Sequence, residues 1–280
     1  MVPRSGLPPL LKLSALQTAC ETADHILLCS DYDGTLVALQ ENPSQCFLSE
    51  QLWGILQRLT ECPKLRVVIV SGRSLKDLKS LITVPKVGLV ANHGLEIDMD
   101  GLCFTHPSAN SLGHVLLQWH SELTNRLAPF PGIWIEDKGL SLTIHFRKLC
   151  PSYYPELSLV IEQLRQELNS QSLLVVRAGK KVFEIRPNFA WDKGAAVESI
   201  VKEFYGAHSD VLRIYFGDDQ TDEDIFRVWP DAWTIYVGEK PSTTLANYYL
   251  PSFENVASIL TALSTNLTDC PARPTFSALA

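Results

Sequence analysis

The sequence predicts an α/β fold, a Rossmann-like parallel sheet covered by helices on both faces, with an α+β insert in its middle. Three observations carry that prediction. Short β-rich apolar runs alternate with segments of helical period; several of those runs end in acidic or polar groups; and the pattern between about His106 and Pro187 changes to helix, hairpin, helix, hairpin.

In order, the strand candidates are Ile26 to Cys29, Leu65 to Val70, Val87 to Val90, Arg213 to Phe216 and Trp233 to Val237. Between them, Leu52, Ile55, Leu56 and Leu59 recur at helical spacing, as do Ala196, Val197, Ile200, Val201 and Phe204. In the insert, "WIEDKGLSLTIHFR" alternates Leu140, Leu142, Ile144 and Phe146 with Ser141, Thr143, His145 and Arg147, which is the pattern of antiparallel strands buried on one side. A second hairpin, "LLVVRAGKKVFEIRP", turns near Gly179 and closes at Pro187, and Leu157 to Leu168 forms the helix between the two. The core is therefore expected over 1–105 and 188–280, the insert over 106–187, and a poorly ordered tail after Ser264.

Composition limits the function. With 46% hydrophobic residues in 280, the chain can bury a substantial core. A net charge of -7 argues against a polyphosphate or anionic-membrane surface, which would need cations to release counterions, so neither nucleic acid nor membrane is an expected partner. No apolar run reaches the ~20 residues that span a bilayer, and Pro8, Pro9 and Lys12 break the leucines from Leu7 to Leu16. A cytoplasmic monomer acting on a small molecule is expected. The seven cysteines are scattered singly, as reduced core thiols are.

Ligands of an open parallel sheet bind beyond the carboxyl ends of its strands. Four candidate strands end there in polar groups. "HILLCSDYDGTL" delivers Asp31 and Asp33; "SGR" follows the second strand with Ser71 and Arg73; "NHG" follows the third with Asn92, His93 and Gly94; "GDDQTDED" begins at Gly217. Each alone has an ordinary reading: Asp-Gly is a turn dipeptide, and Thr221 with Asp224 resembles a capping box. A calcium loop of EF-hand type is excluded, since the acidic run lacks glycine at its sixth position and glutamate at its twelfth. Together, the runs are expected to bring Asp31, Asp33 and Asp218, with Asp222 as a further candidate, toward one crevice, where like carboxylates recruit a cation. Hard oxygen donors beside a phosphate favour Mg²⁺. The anion site in front of Asp31 would be lined by the amides of the Asp-Gly-Thr turn, by Ser71 and by Lys193 of "WDKGAA".

In that order, the Asp-x-Asp-Gly-Thr strand end, Ser71, Lys193 and "GDD" resemble the haloacid-dehalogenase superfamily, and "SGR", "NHG", "EDKGLSLTIHFR" and "FGDDQTDEDIF" resemble its trehalose-6-phosphate phosphatase family. The resemblance runs from about Leu27 to Leu260 and implies a Rossmann-like core with an inserted cap domain. It implies that Asp31 attacks phosphorus to give an aspartyl-phosphate, and that Asp33 serves as acid and then base. Mg²⁺ would be held by the side chains of Asp31 and Asp218 and the main-chain carbonyl of Asp33, with Asp222 acting nearby or through water and Asp219 unassigned. On the cap, residues matching Glu136, Lys138, Arg147, Lys180 and Glu184 would grip the distal glucose, while Arg73, Asn92, His93 and Gly94 would line the core side. Their pattern agrees in part: Glu136 and Lys138 share one strand face, and Ser141, His145 and Arg147 form the polar row opposite. Lys180, Glu184 and Arg186 make a similar row. His93 and His145 read by themselves as hydrogen-bonded structural residues. The alternatives are a phosphatase for glucosylglycerol phosphate or sucrose phosphate, and a non-catalytic sugar-phosphate sensor.

Overall fold

The computed structural model describes residues 8–40, 43–171, 173–206, 210–239 and 243–267. In chain order it begins with α1 (Leu13–Thr22), β1 (His25–Ser30), α2 (Glu50–Glu61), β2 (Leu65–Val70), α3 (Leu75–Leu81), β3 (Gly88–Ala91), β4 (Glu96–Met99) and β5 (Leu102–Thr105). The middle holds α4 (Pro107–Asn110), α5 (Gly113–Leu127), β6 (Trp134–Asp137), β7 (Leu142–His145), α6 (Tyr154–Gln171), β8 (Leu174–Gly179) and β9 (Val182–Pro187). The chain continues with α7 (Lys193–Tyr205), β10 (Val211–Gly217), α8 (Glu223–Val228), β11 (Trp233–Val237), β12 (Tyr248–Leu250) and α9 (Phe253–Leu267). These elements form two compact units, Met1–Cys103 with Asp192–Ala280, and Phe104–Trp191. The division falls at Cys103 and Trp191, outside the limits of 106 and 187 read from the change of pattern, because β5 and the aromatic residues after β9 carry no periodic signal.

The first unit is built on a sheet of order β12-β11-β10-β1-β2-β3-β4-β5. From β12 to β3 neighbouring strands are parallel, and β4 turns back antiparallel to β3. β1 is central because its residues are apolar toward both faces: Ile26, Leu27, Leu28 and Cys29 are all buried. At roughly 2 kcal/mol per buried aliphatic side chain, those residues hold the strand in register and oblige residue 31 to emerge at the carboxyl edge. The connection after β1 leads to β2 on one side, whereas β10 arrives on the other, so the crossovers diverge at the β1/β10 boundary. That is where an open sheet leaves a crevice.

The covering helices follow their apolar stripes. α2 starts at Ser49, whose side chain accepts from the Leu52 amide, and buries Leu52, Ile55, Leu56 and Leu59. α9 buries Val256, Ile259, Leu260, Leu263 and Leu267 and packs against α1 and α2. The helix extends to Leu267 and buries Ser264, which corrects the expectation of a disordered tail from that residue; the rest of the tail, from Thr268, lies outside the described residues. The β4–β5 hairpin, missing from the sequence reading, turns at Asp100 and Gly101, both at positive φ. Cys20, Cys29 and Cys46 are buried thiols in this unit. Among the described residues, no helix is long and apolar enough to cross a membrane.

The second unit is an antiparallel sheet of order β6-β7-β9-β8 with two unlike faces. Leu142, Ile144, Val176 and Ile185 belong to one face and share a core with Leu116, Trp119, Leu123 and Leu127 of α5 and Leu157, Ile161, Leu164 and Leu168 of α6. On the other face, register aligns Glu136, Thr143, Glu184 and Arg177 in one row across all four strands. The sequence pattern implies that the polar row of β7 is solvated, but Ser141 and Thr143 are only 1% and 2% exposed. β7 also stops at His145, so Arg147 sits in the following turn and not in the strand. Where the chain enters and leaves this unit, four aromatic rings meet: His106 stacks on Phe189 at 4.3 Å, and Trp191 contacts both His106 and Phe104.

Candidate active site

The apolar run of β1 ends at Ser30, and the Asp31 amide donates to the carbonyl of Phe216 on β10, 2.8 Å away. This bond ties the tips of the two strands together, so the residues after each tip face the same crevice. The carboxylate oxygens of Asp31, Asp218 and Asp222 lie within 4.8 Å of one another, and all three residues are buried. Three carboxylates at this range require positive charge. Lys193, 2% exposed, donates to Asp31 Oδ1 at 2.7 Å and to Asp222 Oδ1 at 2.8 Å. Burial would lower the pKa of this lysine, but Asp222 and Asp31 outweigh it and hold the ammonium charged, above the ordinary lysine value. Burial likewise raises the Asp31 carboxyl, with Lys193 working against it. As the first residue of α7, Lys193 also opposes the helix dipole, a cost offset by the two carboxylates.

Asp222 and Asp31 have different freedom. Asp222 Oδ1 takes Lys193 and the Tyr215 hydroxyl at 2.6 Å, while its Oδ2 takes the amides of Asp218 and Asp219 at 2.9 Å each. Both its oxygens are therefore engaged in holding the strand end and the lysine. The capping box is formed by Asp219 and Asp222, not by Thr221 and Asp224 as the sequence suggests, because the short helical turn starts two residues earlier. Asp31 Oδ2, by contrast, has no hydrogen-bond partner among the described residues. The donor set near it consists entirely of hard oxygens, which suits a small divalent cation and does not suit a soft metal. Gly34, at φ +93, stands so near Asp218 that a Cβ would lie 2.3 Å from its Oδ2, and Thr35 donates to Oδ1 of the same carboxylate. The Asp-Gly-Thr turn is thus fitted directly onto the tip of β10.

The motifs after β2 and β3 interlock. The Asn92 amide donates to the Arg73 carbonyl at 2.7 Å, and the His93 amide to the Ser71 carbonyl at 3.1 Å. Asn92, His93 and Gly94 all have positive φ, so "NHG" is a left-handed turn that braces the "SGR" segment. A Cβ on Gly94 would lie 2.7 Å from the carbonyl of Asp192, the residue whose side chain caps α7 immediately before Lys193. Ser71 is buried, and its hydroxyl accepts from the Arg73 amide. The Asp33 side chain stands outside the carboxylate cluster and forms a two-point ion pair with Arg73.

In the second unit, Lys138 donates to Glu184 Oε1 at 3.0 Å, with both side chains nearly buried, and His145 meets Glu136 Oε2 at 2.8 Å while stacking on Trp134. Arg147 and Lys180 lie in turns at exposed positions. The sequence reading missed Tyr215 and Thr35 as partners of the acidic cluster. Thr35 stood within the quoted motif; Tyr215 was concealed because a tyrosine in a buried strand reads as an apolar residue.

Comparison with known proteins points to one family. A family model described as trehalose-phosphatase matches residues 29–247, from the end of β1 to the segment before β12. The chain is 30% identical to trehalose-phosphate phosphatase B of Arabidopsis thaliana over 85% of its own length and 66% of that protein's. It is 31% identical to a trehalose-phosphate phosphatase of Mycobacterium bovis, over 88% and 63% respectively. The chain thus spans about two thirds of the length of these relatives. Among solved structures, the C-terminal domain of a C. albicans trehalose-6-phosphate phosphatase superposes with a TM-score of 0.80 at 26% identity, over 92% of this chain and 99% of that one. Because the matched segment begins at the strand that carries Asp31 and runs through both Lys193 and the "GDD" tip, the chain belongs to the trehalose-phosphatase family.

Proposed function

We propose that this chain is a phosphoric monoester hydrolase that converts trehalose 6-phosphate to trehalose and phosphate, with Mg²⁺ and through an aspartyl-phosphate on Asp31. The single observation that carries the chemistry is the asymmetry of Asp31: one oxygen is fastened to Lys193, and the other has no hydrogen-bond partner among the described residues. The names of the relatives supply the substrate. Asp31 Oδ2 attacks phosphorus while the bond to the sugar oxygen breaks, and Asp33 gives that oxygen its proton. Asp33 then takes a proton from water, whose oxygen attacks phosphorus and releases Asp31 and phosphate.

Lys193 and the Ser71 hydroxyl are the positive and polar groups offered to the phosphoryl oxygens. A divalent cation held by the carboxylates of Asp31 and Asp218 and the carbonyl of Asp33 would supply further positive charge. The acceleration needed reaches up to ~10²¹, or roughly 28 kcal/mol, beyond what any one group provides. The second unit is read as the cap. Its partly buried polar face, with Glu136, Lys138 and Glu184, offers paired donors and carboxylates to sugar hydroxyls, and Arg147 and Lys180 stand at the ends of the same hairpins.

A phosphate-release panel tests this reading. Trehalose 6-phosphate should be turned over faster than sucrose phosphate or glucosylglycerol phosphate, and EDTA should abolish release until Mg²⁺ is restored. A faster rate on either competitor would change the substrate, and full activity in EDTA would remove the metal.

A further inference from the structure

The guanidinium of Arg73 has an unusual number of fixed partners for a residue at the edge of a binding crevice. Its Nε donates to Asp33 Oδ2 at 2.6 Å and its Nη2 to Asp33 Oδ1 at 2.7 Å. Nη2 also donates to the Pro43 carbonyl at 2.7 Å, and Nη1 to Asp77 Oδ2 at 2.6 Å. The ring of Tyr32 lies beneath it, 5.5 Å from the guanidinium carbon. Arg73 is 7% exposed, whereas the Asp33 side chain is 25% exposed. We infer that Arg73, anchored by Asp77 and the Pro43 carbonyl, is the positioning residue of Asp33 and not a grip on the substrate; the inference rests on the phosphatase reading above.

The geometry supports this in three ways. A guanidinium has five N–H donors, and four are committed here, which leaves one: too few for the two-point hold by which arginine binds a phosphate or a diol. A fork bonded to both oxygens of a carboxylate sets its plane as well as its place, and lysine cannot do that. Two of the groups around the guanidinium are themselves held. Asp77 lies in the first turn of α3, where its amide donates to the Ser74 cap, and the buried Tyr32 donates to the Cys46 carbonyl at 2.6 Å. The chain thus ties one aspartate to two other segments, although the motif needs nothing from Arg73 to make its turn. A misplacement of about 1 Å in a proton donor can cost on the order of 100-fold in rate.

The test uses Arg73→Ala, Arg73→Lys and Asp77→Ala in the full chain with Mg²⁺. Each is assayed on trehalose 6-phosphate, whose alkoxide must receive a proton, and on p-nitrophenyl phosphate, whose phenolate leaves without one. Arg73→Ala should lower kcat on the sugar phosphate by about 100-fold, with KM changed less than about threefold and a loss below about tenfold on the nitrophenyl ester. Arg73→Lys should resemble Arg73→Ala, and Asp77→Ala should show the same selectivity with a smaller loss. A KM that rises while kcat holds would make Arg73 a substrate ligand, and equal losses on both esters would deny it any role through Asp33; either result overturns the inference. If Arg73→Ala does not fold, the selectivity of Asp77→Ala decides. A wild-type chain inactive on both esters would instead overturn the function itself, and this inference with it.

Discussion

The two units hold their charged residues in opposite ways. In the first, the charges sit at strand tips, where the backbone of a buried parallel sheet decides which side chains meet: Asp31 follows β1, Asp218 follows β10, and the bond from Asp31 to Phe216 sets their spacing. In the second, they sit on a strand face, where alternation decides. Glu136 and Glu184 reach the same face because each lies across from Thr143 in register. A tip site concentrates charge at one point and needs a counter-charge. A face site spreads it over a surface and suits a ligand with many hydroxyls.

The largest expected effect tests the first half of that contrast. Asp31→Asn should reduce turnover by at least about 10⁴-fold, as loss of a nucleophile does, with circular dichroism unchanged; retained turnover would mean that the tips do not carry the chemistry. Next, Lys193→Met removes the counter-charge from a cluster of three buried carboxylates. It should cost about 3–5 kcal/mol of stability in urea titration, together with most of the activity. An equally stable variant would show that the cluster does not need its lysine.

Two smaller effects test the second unit, first on its face and then at its ends. Glu184→Gln keeps an acceptor for Lys138 but removes the charge, and should raise KM for the sugar phosphate about tenfold, or ~1.4 kcal/mol, with kcat within about threefold. A kcat loss at constant KM would move Glu184 into the chemistry. The smallest effect concerns His106, whose pKa is lowered by burial and whose Nδ1 has no hydrogen-bond partner among the described residues. The unfolded chain binds this proton more readily than the folded one. The contribution of this group is therefore full above its ordinary pKa of 6.5 and is lost as pH falls below it. His106→Phe should flatten that decline in thermal melts between neutral and acid pH; an unchanged slope would dismiss the group.

Different parts of this molecule were legible to different degrees. β1, β2, β10 and β11 could be read because a strand buried on both sides is a nearly continuous apolar run, and the groups at their tips followed from where such runs end. The β4–β5 hairpin and α1 could not: α1 buries only Leu16 and Cys20, too few to show a period, and β5 is a half-exposed edge of four residues. Within the site, sequence assigned Asp222 and Asp218 to one cluster but did not show that both oxygens of Asp222 are saturated. That depends on Tyr215 and two backbone amides. The pair between Asp33 and Arg73 spans forty residues, and only the parallel pairing of β1 with β2, Ser30 beside Ile69, brings its two loops together.

The stacked rings of His106 and Phe189 have a consequence for modularity. They hold the entry and exit of Phe104–Trp191 against each other, so this segment begins and ends at one place, like a loop drawn closed with a clasp. Such a segment can be lengthened, recut or exchanged for another without altering the span its host must bridge. On the proposed reading of this segment as the cap, specificity can then change by transplantation while the chemistry proposed for the strand tips stays as it was.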